Sequence, residues 1–301
     1  MAIKPALFAT LVTLATMLPS LQAQAQVPAP RRAPPAPVIL ITGSTDGLGR
    51  ETASRLAATG ATVIVHGRNR ERGLAVVNEI KREGKGSAAF YAADFGSLAN
   101  VRAFADTILR HYPRIDVLIN NAGIWLREGP RQTSADGHEM TFAVNYLSGY
   151  LLTRLLLPRL VAGAPSRVIN VSSQSQSPID FDDVMQERTY SGQRAYSQSK
   201  LAQAMFTFDL ARELEGKRVT VVALHPATLM DTHLVLAAGV QPRSSVNEGA
   251  EALVRLVLDS AITSGRFYNG MRESRAHPQA YDDAARVQLR ALSERLVAIP
   301  R

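Results

Sequence analysis

Short uninterrupted apolar runs alternate along this chain with longer stretches in which apolar residues fall at helical spacing. Val38–Ile41, Val63–Val65, Ala88–Tyr91, Val117–Ile119, Arg167–Val171 and Val219–Leu224 read as strands, with Gly265–Tyr268 as a seventh. Helices are predicted over Gly49–Ala58, from the charged segment after Val65 through Arg82, and over Leu98–His111, Phe142–Val161, Ala195–Glu215 and Asn247–Ser260. Strands without polar alternation are buried on both faces, and a helix between successive strands makes each connection a right-handed crossover. The pattern therefore predicts an α/β fold: a doubly wound parallel sheet of about seven strands with helices on both faces. No repeat and no break in composition divides residues 38–301, which read as one domain.

The N-terminus follows a different pattern. Lys4 precedes an apolar run from Ala6 to Leu18, and Ala23-Gln24-Ala25 has the small-x-small form of a signal-peptidase site. Residues 1–25 read as a secretory signal, since about 13 apolar residues fall short of the roughly 20 needed to span a bilayer. Residues 26–37, rich in Pro and Ala, read as an extended linker. Two readings stand. Cleavage after Ala25 gives an exported or periplasmic protein. Retention gives a membrane anchor, with Arg31 and Arg32 drawing the folded domain to the cytoplasmic side. The first is preferred, because its sequence signals are direct.

Composition removes whole classes of chemistry. The 301 residues include no cysteine, which excludes disulfides, thiolate metal sites and a cysteine nucleophile. The six histidines have no metal-site spacing, so no metal is expected. The net charge of +8 comes from scattered arginines, and no nucleic-acid partner is expected.

The chemistry-bearing residues lie at strand ends. Thr42-Gly43-Ser44-Thr45-Asp46-Gly47-Leu48-Gly49 links the first strand to the first helix. Glycines there let the backbone approach a pyrophosphate seated on a helix N-terminus. Asn120-Asn121-Ala122-Gly123 follows the fourth strand, and Ser172 and Ser173 follow the fifth. Tyr196 and Lys200 share a helix face, being four residues apart. At ~4 Å and an effective dielectric of ~20 their attraction is about 4 kcal/mol. That amounts to three pH units at most, so the phenol is expected to move from ~10 toward neutrality. Arg68, at the end of the second strand, offers donors for a 2′-phosphate where an acidic residue would bind a hydroxyl; Asp46 beside the glycine turn argues the other way.

In this order, these motifs resemble the short-chain dehydrogenases/reductases. The resemblance runs from Val38 to the C-terminus. Val144-Asn145-Tyr146, Ala195-Tyr196 and Leu224-His225-Pro226 look most like the branch of retinol dehydrogenase-like oxidoreductases. It implies a single-domain Rossmann fold and a catalytic set of Asn145, Ser173, Tyr196 and Lys200. Tyr196 would move the hydroxyl proton, Ser173 would steady the substrate oxygen, and Lys200 would also bond the ribose. Asn145, unusual inside a helix, would hold a kinked turn and a relaying water; its plainer role is a buried amide bonded only to backbone. The cofactor contacts implied are Gly43, Ser44, Thr45, Asp46, Gly47, Leu48, Gly49, Arg68, Asp94, Asn121, Ala122, Gly123, Tyr196, Lys200, Pro226 and Thr228. Asp94 would bond the adenine, or else cap a helix. Asn120 reads as a tie between strands. One departure stands out: Ala227 replaces the glycine of a Pro-Gly pair, and the threonine that comes next is either Thr228 or, shifted, Thr232.

The expected activity is hydride transfer between a nicotinamide, NADP(H) in preference to NAD(H), and a carbonyl/alcohol pair. The substrate is expected to be a lipophilic small-molecule alcohol, ketone or aldehyde, walled by Trp125, Leu126, Met230, Leu234 and Leu236. The family implies a homo-oligomer, and the N-terminal segment leaves room for membrane association. The alternatives are a catalytically silent NADP(H)-binding regulator and a lyase or isomerase on the same scaffold. The intact catalytic set speaks against the first, and the short C-terminal region against the second.

Overall fold

The computed structural model describes residues 1–2 and 35–298. The expected signal, its cleavage site and most of the linker lie outside the described residues. The compact unit that carries the sheet begins at Ala36. Among the described residues no helix is long and apolar enough to cross a membrane.

Eight strands form one sheet in the order β3-β2-β1-β4-β5-β6-β7-β8. They are β1 (Val38–Ile41), β2 (Thr62–Gly67), β3 (Ser87–Ala92), β4 (Val117–Asn120), β5 (Ser166–Val171), β6 (Val219–His225), β7 (Arg266–Asn269) and β8 (Arg272–Ser274). β1 to β7 pair in parallel, and β8 adds an antiparallel edge that the apolar pattern does not announce, because Arg272-Glu273-Ser274 is polar. Successive side chains on a strand point to opposite faces. Leu40, Ile64 and Leu118 accordingly join one core, while Ile39, Ile41, Val63, Val65, Val117 and Ile119 join the other. That division explains the unbroken apolar runs.

Helices α1 (Gly47–Ala57), α2 (Arg70–Glu83) and α8 (Val246–Leu258) cover one face. The other is covered by α3 (Leu98–His111), α5 (Ser148–Ala162), α6 (Gly192–Glu213) and α9 (Asp283–Val297). The helix expected over Phe142–Val161 is divided: a short α4 (Met140–Phe142), a π-helical turn over Ala143–Leu147, then α5. Glu139, fully buried, starts it by accepting from the amides of Thr141 and Phe142 at 2.9 and 2.6 Å. A small α7 (His233–Ala237) follows β6. Neither α7 nor α9 is foreseen from the sequence. α9 is held through Ser293, whose hydroxyl meets the fully buried Tyr146 hydroxyl at 2.7 Å, and through Arg286, whose Nε donates to Asp209 at 2.9 Å.

β1 is flanked by β2 on one side and β4 on the other, so the connections leave its end in opposite directions. In doubly wound sheets the crevice at such a switch point, beyond the carboxyl ends of the strands, is where ligands lie.

Candidate active site

The glycine turn after β1 is packed too closely for side chains. A Cβ on Gly49 would lie 2.2 Å from the Gly43 carbonyl oxygen, and one on Gly43 would lie 2.8 Å from Ala122 Cα. Gly43 and Gly47 both take positive φ. Asp46 caps α1, its carboxylate accepting from Gly47 N at 2.8 Å. The first turn of α1 leaves amides without carbonyls of their own helix to bond, which is the chemistry an anionic pyrophosphate needs. The turn therefore fits a dinucleotide phosphate.

Several residues expected to touch a cofactor are committed to holding this turn. The Ser44 hydroxyl donates to Ile41 O at 2.7 Å and accepts from His66 N at 3.0 Å. Asn121 Nδ2 donates to the carbonyls of Thr42 and Gly43 at 2.9 and 3.0 Å. The amides of Asn121 and Ala122 donate to Thr42 Oγ1. Leu48 is buried in the core, and Thr45 lies against Gly67. His66 was missed from the sequence. Its Nδ1 accepts from Gly43 N at 3.0 Å, and its ring stacks on Phe95 at 4.0 Å. Burial pushes its pKa down to about 3, so the ring stays neutral and can accept. Its place in an otherwise apolar strand was the available signal.

At the adenosine end, Arg68 is exposed just past β2. Asp46 pairs with Arg72 Nη1 at 3.3 Å, both side chains largely exposed. Asp94, exposed past β3, accepts from Gly96 N at 2.9 Å through one oxygen. It caps the local turn rather than α3, which Ser97 caps.

The four catalytic candidates converge at the carboxyl ends of β4 and β5. Asn145 lies in the π-helical turn; such single-turn insertions re-aim side chains at functional sites. Its Oδ1 accepts from Ile124 N at 2.8 Å, and its Nδ2 donates to Ile124 O and Ser199 Oγ, both at 3.0 Å. The amide thus bonds a side chain as well as backbone. Ser173 Oγ accepts from Ser175 N at 3.0 Å and hydrogen-bonds the Tyr196 phenol. Ser172, by contrast, turns inward onto Lys200 O at 2.7 Å. The Tyr196 ring lies 5.2 Å from that of Trp125. Asn120 ties β4 to its neighbours, donating to Asn170 Oδ1 and Thr153 Oγ1.

One electrostatic expectation is corrected. Burial pushes the Tyr196 phenol up to about 12, against a hydrogen bond from Ser173 that lowers it. Burial also pushes the Lys200 ammonium down to about 7. The ammonium stands over the Tyr196 ring, 5.5 Å from its centre, while its hydrogen bonds go elsewhere: Nζ donates to Val171 O at 2.8 Å and Gln203 Oε1 at 3.1 Å. Sharing a helix face brings the ammonium over the phenol ring, and in this arrangement burial outweighs any lowering of the phenol by the charge.

The loop after β6 separates the two threonines. Thr228 is exposed and meets His225 Nε2 at 3.1 Å. Thr232 caps α7, and its methyl approaches the position a Gly47 Cβ would take at 3.1 Å. Leu229 takes a φ of 52° between them, a left-handed conformation. Pro226 and Ala227 are buried. Of the expected substrate walls, Met230 packs against Gly249 of α8, and Leu236 faces solvent at 57% exposure. Trp125 remains beside Tyr196.

Comparison with known proteins points to one family. A family model described as short chain dehydrogenase matches residues 37–241. Retinol dehydrogenase 14 of Homo sapiens is 38% identical over 291 residues, covering 87% of this chain and 86% of its own. A crystal structure of a short chain dehydrogenase from Salmonella enterica serovar Typhi aligns with a TM-score of 0.66 at 26% identity, covering 79% of this chain and 96% of that one. One from Shigella flexneri 2a, complexed with NADP, aligns at 0.63 with 26% identity, covering 78% and 97%.

Proposed function

The chain belongs to the short-chain dehydrogenase family and is an oxidoreductase acting on CH–OH groups, and from that premise we propose that it interconverts a lipophilic alcohol and its carbonyl with NADP(H) as the preferred cofactor. The observation that carries the reading is the convergence of Ser173, Tyr196, Lys200 and Asn145 at one strand-end crevice beside the aromatic wall of Trp125.

A bound nicotinamide dinucleotide supplies hydride exchange at its ring. Its phosphates would be held by the glycine turn and the N-terminus of α1, and the 2′-phosphate by Arg68. The Arg72–Asp46 pair supports this choice, because it removes a free carboxylate from the phosphate's surroundings. The NADP bound by the Shigella protein supports it independently.

The remaining chemistry is the chain's own. With its lone pair engaged by Ser175 N, the Ser173 hydroxyl donates to the substrate oxygen. Tyr196, protonated at neutral pH, gives its proton to that oxygen in reduction and recovers it in oxidation. Lys200 holds its ammonium over the Tyr196 ring, and its charge favours the phenolate that oxidation requires. Asn145 positions the Ile124 backbone at the edge of the site. Thr232, returned to the glycine turn by the bend at Leu229, is favoured over Thr228 as the loop's cofactor contact.

The test is a panel of short and long-chain aldehydes, ketones and alcohols, including retinal and retinol, followed by nicotinamide absorbance with both cofactors. Higher kcat/KM for apolar substrates with NADP(H) is expected; equal rates with NAD(H), or a preference for polar substrates, would refute those parts of the proposal. Residues 1–25 are retained as an export signal, to be decided by N-terminal sequencing of the native protein, and the homo-oligomer by its solution mass.

A further inference from the structure

Gln203 lies three residues after Lys200 on α6, so the two side chains share a helix face. It is 3% exposed. A buried amide carries a desolvation cost that an apolar residue of similar size avoids. The structure gives it a partner that accounts for its presence: its Oε1 accepts from Lys200 Nζ at 3.1 Å, beside the Val171 carbonyl at 2.8 Å.

An ammonium has three donors. Two are taken, one by the Val171 carbonyl of β5 and one by Gln203 on the same helix. The third is left toward Gly123, where a Cβ would lie 3.7 Å from Lys200 Nζ and 3.4 Å from Asn145 Oδ1. That glycine borders the site. The titratable groups facing the ammonium are Tyr196 on its own helix and His225 at the end of β6. His225 is held neutral, burial and the Lys200 charge together pushing it down to about 4. No described carboxylate forms an ion pair with Lys200. The two oxygen acceptors are therefore what compensates the charge for its burial, and water has little access to replace either.

We propose that Gln203 is a positioning residue for the reaction: with the Val171 carbonyl it keeps the Lys200 ammonium charged and aims its remaining N–H into the site. The proposal rests on Lys200's part in the proposed reaction, and its test separates the two.

Gln203→Met removes the acceptor at nearly constant volume, and Gln203→Glu makes it anionic. The chain has five lysines, Lys4, Lys81, Lys85, Lys200 and Lys217, so a 13Cε-lysine NMR titration of the cofactor-free protein resolves Lys200, assigned by its loss in Lys200→Met. Loss of a hydrogen bond from a charged donor should lower the Lys200 midpoint by about one to two pH units in Gln203→Met. The carboxylate should raise it by a comparable amount in Gln203→Glu. The alkaline limb of the pH–rate profile should move in the same directions. A generic packing defect gives no such opposed pair. An unmoved midpoint in folded Gln203→Met overturns the proposal, and that variant decides alone if Gln203→Glu does not fold. Midpoints that move while the pH–rate profile stays fixed uphold Gln203's hold on Lys200 and refute Lys200's part in the proton chemistry.

Discussion

Replacing Lys200 with methionine should flatten the pH dependence of this protein's stability. Burial holds the folded ammonium near pKa 7 against an ordinary 10.5. Between those values the unfolded chain binds more protons than the folded one, so stability rises with pH across that window. Relative to the unfolded chain, the shifted titration costs the fold roughly 5 kcal/mol at pH 6 and about 2 at pH 9. The wild-type protein should thus gain about 2–3 kcal/mol relative to Lys200→Met between pH 6 and pH 9. The absolute change at pH 6 is smaller than the burial cost alone. Losing the ammonium strands Val171 O and Gln203 Oε1, at ~1–3 kcal/mol for each buried acceptor. The difference in slope survives this offset, because the stranded acceptors do not titrate. Thermal denaturation of both cofactor-free proteins from pH 6 to 9 measures it, with the gap between melting temperatures changing by roughly 5–10 °C. Parallel curves would mean that Lys200 is solvated in the folded state, and the account of the buried ammonium would fail.

Tyr196→Phe should lower turnover by about 10²–10⁴-fold, the usual contribution of a general acid or base, while cofactor affinity measured by fluorescence titration stays within a few fold; near-normal turnover would remove Tyr196 from the mechanism. Arg68→Asp should move the NADP(H)/NAD(H) ratio of kcat/KM toward NAD(H) by at least about tenfold, since a charge-assisted bond is worth ~1.5–3 kcal/mol. An unchanged ratio would show that Arg68 points elsewhere. In Gly49→Ala the new methyl meets Gly43 O at 2.2 Å and Asn121 Nδ2 at 2.6 Å; overpacking and a weakened Asn121–Gly43 bond should cost about 1–3 kcal/mol in urea denaturation and weaken cofactor binding. A variant as stable as the parent would mean that the turn opens freely.

The strand runs, most helices and the glycine turn were legible in the sequence because each is written in short-range periodicity or in a backbone requirement that few residues meet. Leu98–His111 is helical over the span its apolar spacing predicts. Gly43 and Gly49 stand where the turn admits no Cβ. Family likeness named the candidate catalytic residues where spacing alone would not, and the tertiary structure places them at one crevice. The sequence could not say where a side chain would find its partner. Lys200 shares a helix face with Tyr196, yet its ammonium bonds a carbonyl of β5 and an amide one turn further on. Asn121 stands in a cofactor motif, yet its side chain is spent on the glycine turn. His66 reads as an oddity in an apolar strand until Gly43 N is seen to donate to it. The edge strand β8 and the helix α9 have weak patterns of their own, and it is the packed structure that pairs β8 with β7 and ties Arg286 of α9 to Asp209 of α6. Periodicity is a property of neighbours in the chain, whereas desolvation and hydrogen-bond choice depend on every group the fold brings within a few ångströms, and only the packed structure contains that information.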